Sequence, residues 1–118
     1  MISFEYLSRN IVKVTIQGKV QIGDFSAITP QIDNVIQQSG KIRILVDGSL
    51  FKGWQSARAF QEHIHFVMLR HRKIQRVAII PGALWQYAMI NMAKRFVTFE
   101  MKIYKRKHIE EAQTWLLS

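Results

Sequence analysis

Few side chains in this sequence have the types and spacing that chemistry needs. His63, His65, His71 and His108 are the only histidines, and there is no cysteine. His63 and His65 stand two residues apart, so on a helix they point about 200° from each other and cannot hold one ion together. His63 and His71 share a side only if a single helix runs through both, and Glu62 is the only acid beside them. That spacing argues against a zinc site. Without cysteine there is no thiolate nucleophile, no disulfide framework and no all-thiolate metal centre. Asp47 and Ser49 with a histidine have the residue types of a hydrolytic triad, but no G-x-S-x-G elbow accompanies them. At the end of a strand, Asp47-Gly48-Ser49 reads more simply as turn chemistry. The glycine pairs Gly18/Gly23 and Gly48/Gly53 lack the Gly-Lys-Ser/Thr ending of a phosphate loop, and no dinucleotide fingerprint is present. No catalytic residue, metal or cofactor is expected, and the chain reads as a non-enzyme.

The segment Ser49-Leu50-Phe51-Lys52-Gly53-Trp54 is more informative. It reads as a loop that leaves the carboxyl end of one strand and opens a helix, which is where open α/β sheets bind ligands. Two aromatics and a lysine stand in a stretch that should be polar. Trp85 follows the next strand and falls on the same side if the two strands are parallel neighbours. Phe51, Lys52, Trp54, Phe60, Ile64, Trp85 and Met89 are therefore the candidate ligand-binding residues, lining an apolar recess at one rim of the sheet.

The elements that would carry these residues can be read from periodicity. Ile2-Phe4-Tyr6 and Val12-Val14-Ile16 alternate with polar residues and form a hairpin across Arg9-Asn10, the second strand ending at Gly18. Asp24 is placed to cap a helix whose apolar face is Phe25, Ile28, Ile32, Val35 and Ile36, with Pro30 as a kink or second start and Gly40 as its stop. Ile42–Val46 is a third strand. A second helix starts at Ser56, with a stripe through Phe60, Ile64, Val67 and Met68. Arg76–Ile80 is almost wholly apolar and reads as a central strand, stopped by Pro81-Gly82. Trp85, Met89, Met92 and Phe96 mark a third helix, Phe99, Met101 and Ile103 an edge strand, and Ile109, Ala112 and Leu116 a terminal helix. The order β-β-α-β-α-β-α-β-α implies one domain over residues 1–118, an α/β fold with a five-stranded mixed, largely parallel sheet and about four helices.

Composition bounds the partners. The 118 residues carry 17 Lys+Arg against 8 Asp+Glu, a net charge of +9. The second half holds most of the excess, in Arg70, Arg72, Lys73 and Arg76 and again in Lys102, Lys105, Arg106 and Lys107. Such clusters attract polyanions. Tyr104 is the only aromatic within the second cluster, which counts against stacking on a single strand, so nucleic acid is not the favoured partner. Apolar runs stay far short of the roughly 20 residues of a membrane span. No secretory signal is visible at Met1–Tyr6, and a cytoplasmic protein is expected.

Taken together, the Val46-Asp47 strand end, Phe51-x-Gly53-Trp54, Arg76-Val77-Ala78-Ile79-Ile80, Trp85 and the closing Glu111-Ala112-x-x-Trp115-Leu116 resemble the SpoIIAA-like family, a branch of the STAS-type fold. The resemblance covers nearly the whole chain. It implies a βα superhelix in a small cytoplasmic bacterial protein with no established enzymatic activity. Relatives in the wider fold include antagonists of anti-sigma factors and, more remotely, CRAL-TRIO lipid carriers. The antagonist branch implies a phosphorylated serine just after an aspartate, beginning a helix with Ser-Gly-Leu. Ser49 is the matching candidate for a regulatory phosphosite, although Leu50-Phe51-Lys52 follows it here.

Three functions are carried forward. The first is a binding or regulatory module that holds an apolar or lipid-like small molecule near residues 48–56. The second is a STAS-type regulator that binds a protein partner through the same loop. The third is polyanion binding through the basic second half. A homodimer is expected, through the edge strand 98–104 or an exposed helix, and is compatible with the first two.

Overall fold

A computed structural model describes residues 1–118. The antiparallel hairpin is β1 (Ile2–Ser8) and β2 (Ile11–Val20), paired through Phe4↔Val14 and Tyr6↔Val12. Arg9 turns it with φ 53°, in the left-handed region. Then come α1 (Asp24–Ser39), β3 (Ile42–Trp54), α2 (Ala57–Arg70), β4 (Ile74–Pro81), α3 (Leu84–Ala93), β5 (Glu100–Ile103), one 3-10 turn at Arg106–His108 and α4 (Ile109–Leu117). The sheet order is β1-β2-β3-β4-β5, and every pair after the hairpin is parallel. This is the expected five-stranded mixed sheet with four helices, β4 lying inside it and β5 at an edge.

Alternation divides the core into two layers. Val12, Val14, Ile16, Ile42, Ile44 and Val77 face α1 and α2, meeting Phe25, Ile28, Ile32 and Phe66. Ile11, Leu45, Ala78 and Ile80 face the other way, onto Ala112 and Leu116 of α4. The second layer is thinner because one nine-residue helix covers it.

Four expectations need correction. β3 does not end near Val46; it runs to Trp54, so residues 49–54 are strand rather than loop. Their backbone finds partners on the far end of β2 (Gln17↔Leu50, Gly18↔Phe51, Val20↔Trp54), with register shifts that absorb the mismatch. Asp24 is not the cap of α1. Gly23, at φ 90°, holds that place, and the Asp24 carboxylate instead accepts from the Gln21 N–H at 2.9 Å. The third helix stops at Ala93 instead of reaching Phe96, which is exposed. Pro30 does not mark a second start: α1 is continuous through it, and the carbonyl the proline leaves unpaired belongs to exposed Ser26.

Candidate functional site

The carboxyl ends of β3 and β4 lie side by side, with Gly48 opposite Pro81. Asp47 is buried there on the α4 face. Its Oδ1 accepts from Ser49 Oγ at 2.7 Å and from the Ser49 N–H at 3.1 Å. Its Oδ2 accepts from Arg106 Nη1 at 2.8 Å, and the same nitrogen donates to Ser49 Oγ at 2.9 Å. Burial alone would raise the Asp47 carboxyl; the Ser49 hydrogen bonds and the Arg106 guanidinium outweigh it and hold the group below its ordinary value. The turn chemistry expected of Asp47 and Ser49 is present. Arg106, which closes the cluster from 57 residues away, was not foreseeable from spacing.

Gln86 braces the same rim and was missed as well. It is buried on α3, donating through Nε2 to the carbonyls of Gly48 and Phe51, both at 3.1 Å, and accepting through Oε1 from the Gly82 N–H at 3.2 Å. The only signal in sequence was a lone amide in the apolar run Leu84–Ile90. Gly82 itself lies so close to β3 that an added Cβ would fall 2.1 Å from the Ser49 carbonyl oxygen.

On the opposite face the aromatic side chains converge. Residues 51 and 54 would point to opposite sides of a regular strand. Gly53, at φ 103°, breaks the alternation and brings the Trp54 indole onto Phe51 at 5.1 Å. Trp54 also meets Phe60 at 4.7 Å and Trp85 at 6.0 Å, and Phe51 meets Trp85 at 5.4 Å. Ser56 Oγ accepts from the Ala59 N–H and so starts α2 where Phe60 reaches the indole. Trp54 Nε1 donates to His63 Nδ1 at 3.0 Å, and the imidazole stacks on Phe25 at 4.3 Å. Burial pushes the His63 imidazole down to about 4; the neutral ring is also the form whose Nδ1 accepts.

Of the candidate residues, Phe51, Trp54, Phe60 and Trp85 form one cluster. Ile64 lies one helical turn beyond Phe60 and Met89 one turn beyond Trp85, along the two helices that flank it. Lys52 is exposed, and the strand places it away from Phe51. The tryptophans meet as expected, but the rings occupy the space between them by direct contact. What the rim offers outward is a set of exposed apolar side chains: Leu84 at 87%, Leu50 at 55% and Trp85 at 39%. Two open clefts lie elsewhere, of about 240 Å³ between β1 and α1 and about 170 Å³ between α1 and α2. Ser49 sits inside β3 with its hydroxyl committed, and the serine that begins a helix is Ser56. No group of three His, Asp or Glu side chains is arranged to hold a metal ion. No helix is long and apolar enough to cross a membrane.

A family model described as SpoIIAA-like matches residues 11–117. Among solved structures, an uncharacterised DUF3478-family protein with a SpoIIAA-like fold from Shewanella loihica PV-4 is 24% identical. It superposes with a TM-score of 0.77 over 98% of this chain and 92% of its own. The anti-sigma factor antagonist SpoIIAA in its unphosphorylated form is 14% identical, with a TM-score of 0.67 over 96% of this chain and 98% of its own. The Bacillus cell fate determinant SpoIIAA in the phosphorylated form is 10% identical, with a TM-score of 0.56 over 95% and 98%. At these identities the likeness is one of fold. No curated protein matches the sequence.

Proposed function

Because the chain belongs to the SpoIIAA-like family, we propose that it acts as a non-enzymatic regulatory module and binds a protein partner through the carboxyl rim of its sheet. One observation carries this reading: Trp85 is left exposed on a braced aromatic platform, and its chain neighbour Leu84 is almost fully exposed next to it. A tryptophan seated among rigid neighbours, with an aliphatic side chain next to it, has the composition of an interface anchor. An acyl chain would have to separate rings that already touch, so a docking surface suits this geometry better than a lipid cavity. The same reasoning bears on Ser49. A phosphoryl group there would stand beside a buried carboxylate and break the bond to it, a cost that Arg106 offsets only in part. Exposed Ser56 carries no such penalty.

The test is capture from lysate with the wild-type chain and Leu84→Asp side by side, with native mass spectrometry of the freshly purified protein. Leu84 is exposed, so the substitution should leave Tm unchanged. A protein retained by the wild type and lost with Leu84→Asp supports the proposal. An identical set of retained proteins contradicts it. A co-purified acyl lipid released by Trp54→Ala would put an apolar small molecule in the partner's place.

A further inference from the structure

The end of the sheet opposite the aromatic rim gathers six cations that have no acid partner, from segments far apart in sequence. The loops entering β2, β3, β4 and β5 are tied into a row. Asn10 Nδ2 donates to the Lys41 carbonyl at 3.0 Å, and Lys41 Nζ donates to the Arg72 carbonyl at 2.6 Å. The Ile42 N–H bonds the Lys73 carbonyl at 2.9 Å, and Thr98 Oγ1 bonds the His71 carbonyl at 3.1 Å. α3 runs back from the opposite rim and delivers Lys94 and Arg95 just before this last tie. Arg9, Lys41, Arg72, Lys73, Lys94 and Arg95 are all exposed. None of the six is in an ion pair. Asp33 and Glu100 are already engaged, by Arg70 at 2.8 Å and by Arg76 at 3.5 Å. The basic stretch 102–107 is not part of it; Lys105, Arg106 and Lys107 lie past β5, at the other end of the strands.

We propose that this row of loops binds the phosphate backbone of single-stranded nucleic acid, independently of sequence. The cations are strung along a line, about one loop per strand. Three interstrand steps of about 4.8 Å give it a length of roughly 14 Å. A line of charge matches a linear polyanion, and such contacts release counterions. Exposed aromatics stand at both ends: Tyr6, whose hydroxyl donates to the Arg9 carbonyl at 2.7 Å, and Phe96, directly after Arg95. Each offers a ring face to an unpaired base. This surface shares no residue with the carboxyl rim, so either site can fail without the other.

The experiment is fluorescence anisotropy of a labelled oligothymidylate of about 20 nucleotides, titrated with the full chain between about 50 and 200 mM salt. Neutralising four phosphates gives a slope of log affinity on log salt of about −3. The double reversal Arg72→Glu/Lys73→Glu should weaken binding about tenfold or more and flatten that slope. Lys105→Glu/Lys107→Glu makes the same change in net charge at the opposite rim and should leave affinity within about threefold. Equal losses for the two variants would overturn the assignment, reducing the effect to net charge. So would no binding at the lowest salt. Binding of phosphatidylglycerol vesicles through Arg72 and Lys73 without oligothymidylate binding would replace the nucleic acid by a lipid surface.

Discussion

The two ends of the sheet are built on different principles. At the carboxyl end, side chains do the bracing. Gln86 ties two carbonyls of β3 to the turn after β4, Asp47 is clamped by Ser49 and Arg106, and the Trp54–His63 bond joins β3 to α2. At the amino end, the loop backbones accept the ties, one of them from the Lys41 ammonium, and the charged ends of Arg9, Arg72, Lys73, Lys94 and Arg95 are left to solvent. Charge is arranged differently at the two ends: at the carboxyl end the acids Asp24, Asp47 and Glu62 are hydrogen-bonded and the unpaired cations Lys52, Lys105 and Lys107 come from two separate segments, whereas at the amino end the cations follow a row of linked loops. The comparison shows that net charge of +9 is a poor description of this surface. One end presents apolar anchors on a stiff platform and the other presents a line of exposed cations.

Substitution at the braced end should be costly and at the basic end nearly free. Gly82→Val is expected to have the largest effect, because its Cβ would overlap the Ser49 carbonyl and force β3 and β4 apart. A loss of about 4 kcal/mol or failure to fold is expected in urea denaturation. Next comes His63. Its folded value of about 4 lies below the ordinary 6.5, so between these two pH values the unfolded chain binds a proton that the folded chain does not. Stability should therefore be complete above about pH 6.5 and fall as pH drops towards 4, by up to about 3 kcal/mol. His63→Leu should flatten that window in denaturation midpoints recorded against pH. The Asp47 contribution, with its carboxyl held below 3.8, is lost only at lower pH, so the two groups separate on the same profile. The smallest effect belongs to Arg72→Glu/Lys73→Glu, which should change stability by no more than about 0.5 kcal/mol. A large loss there would mean that the basic end is braced too, and would erase the distinction.

Periodicity made the fold legible. The hairpin at Arg9-Asn10, the stripe of α1 and the buried β4 all stand where alternation or helical spacing put them. It failed where a glycine changed the rule. Gly18 and Gly53, both at positive φ, let β2 and β3 stay paired through register shifts, so a stretch with no clean alternation is strand rather than loop. The aromatic half of the site was legible because Phe51, Trp54 and Trp85 flank two strand ends that parallel topology makes neighbours. Gln86 and Arg106 were not, since a buried amide and a long-range ion pair leave no periodic trace. The two basic clusters seen in sequence are separated by the fold: the one at 70–76 joins Arg9, Lys41, Lys94 and Arg95, while Lys105, Arg106 and Lys107 lie across the molecule.

Backbone amide shifts recorded by NMR while oligothymidylate is added test the division of the surface most directly. The expected changes are confined to Arg9 and Asn10, Lys41, His71–Lys73 and the stretch from Lys94 to Thr98. Changes centred instead on Leu50–Trp54 and Leu84–Trp85 would contradict the account, because both ends would then serve one ligand.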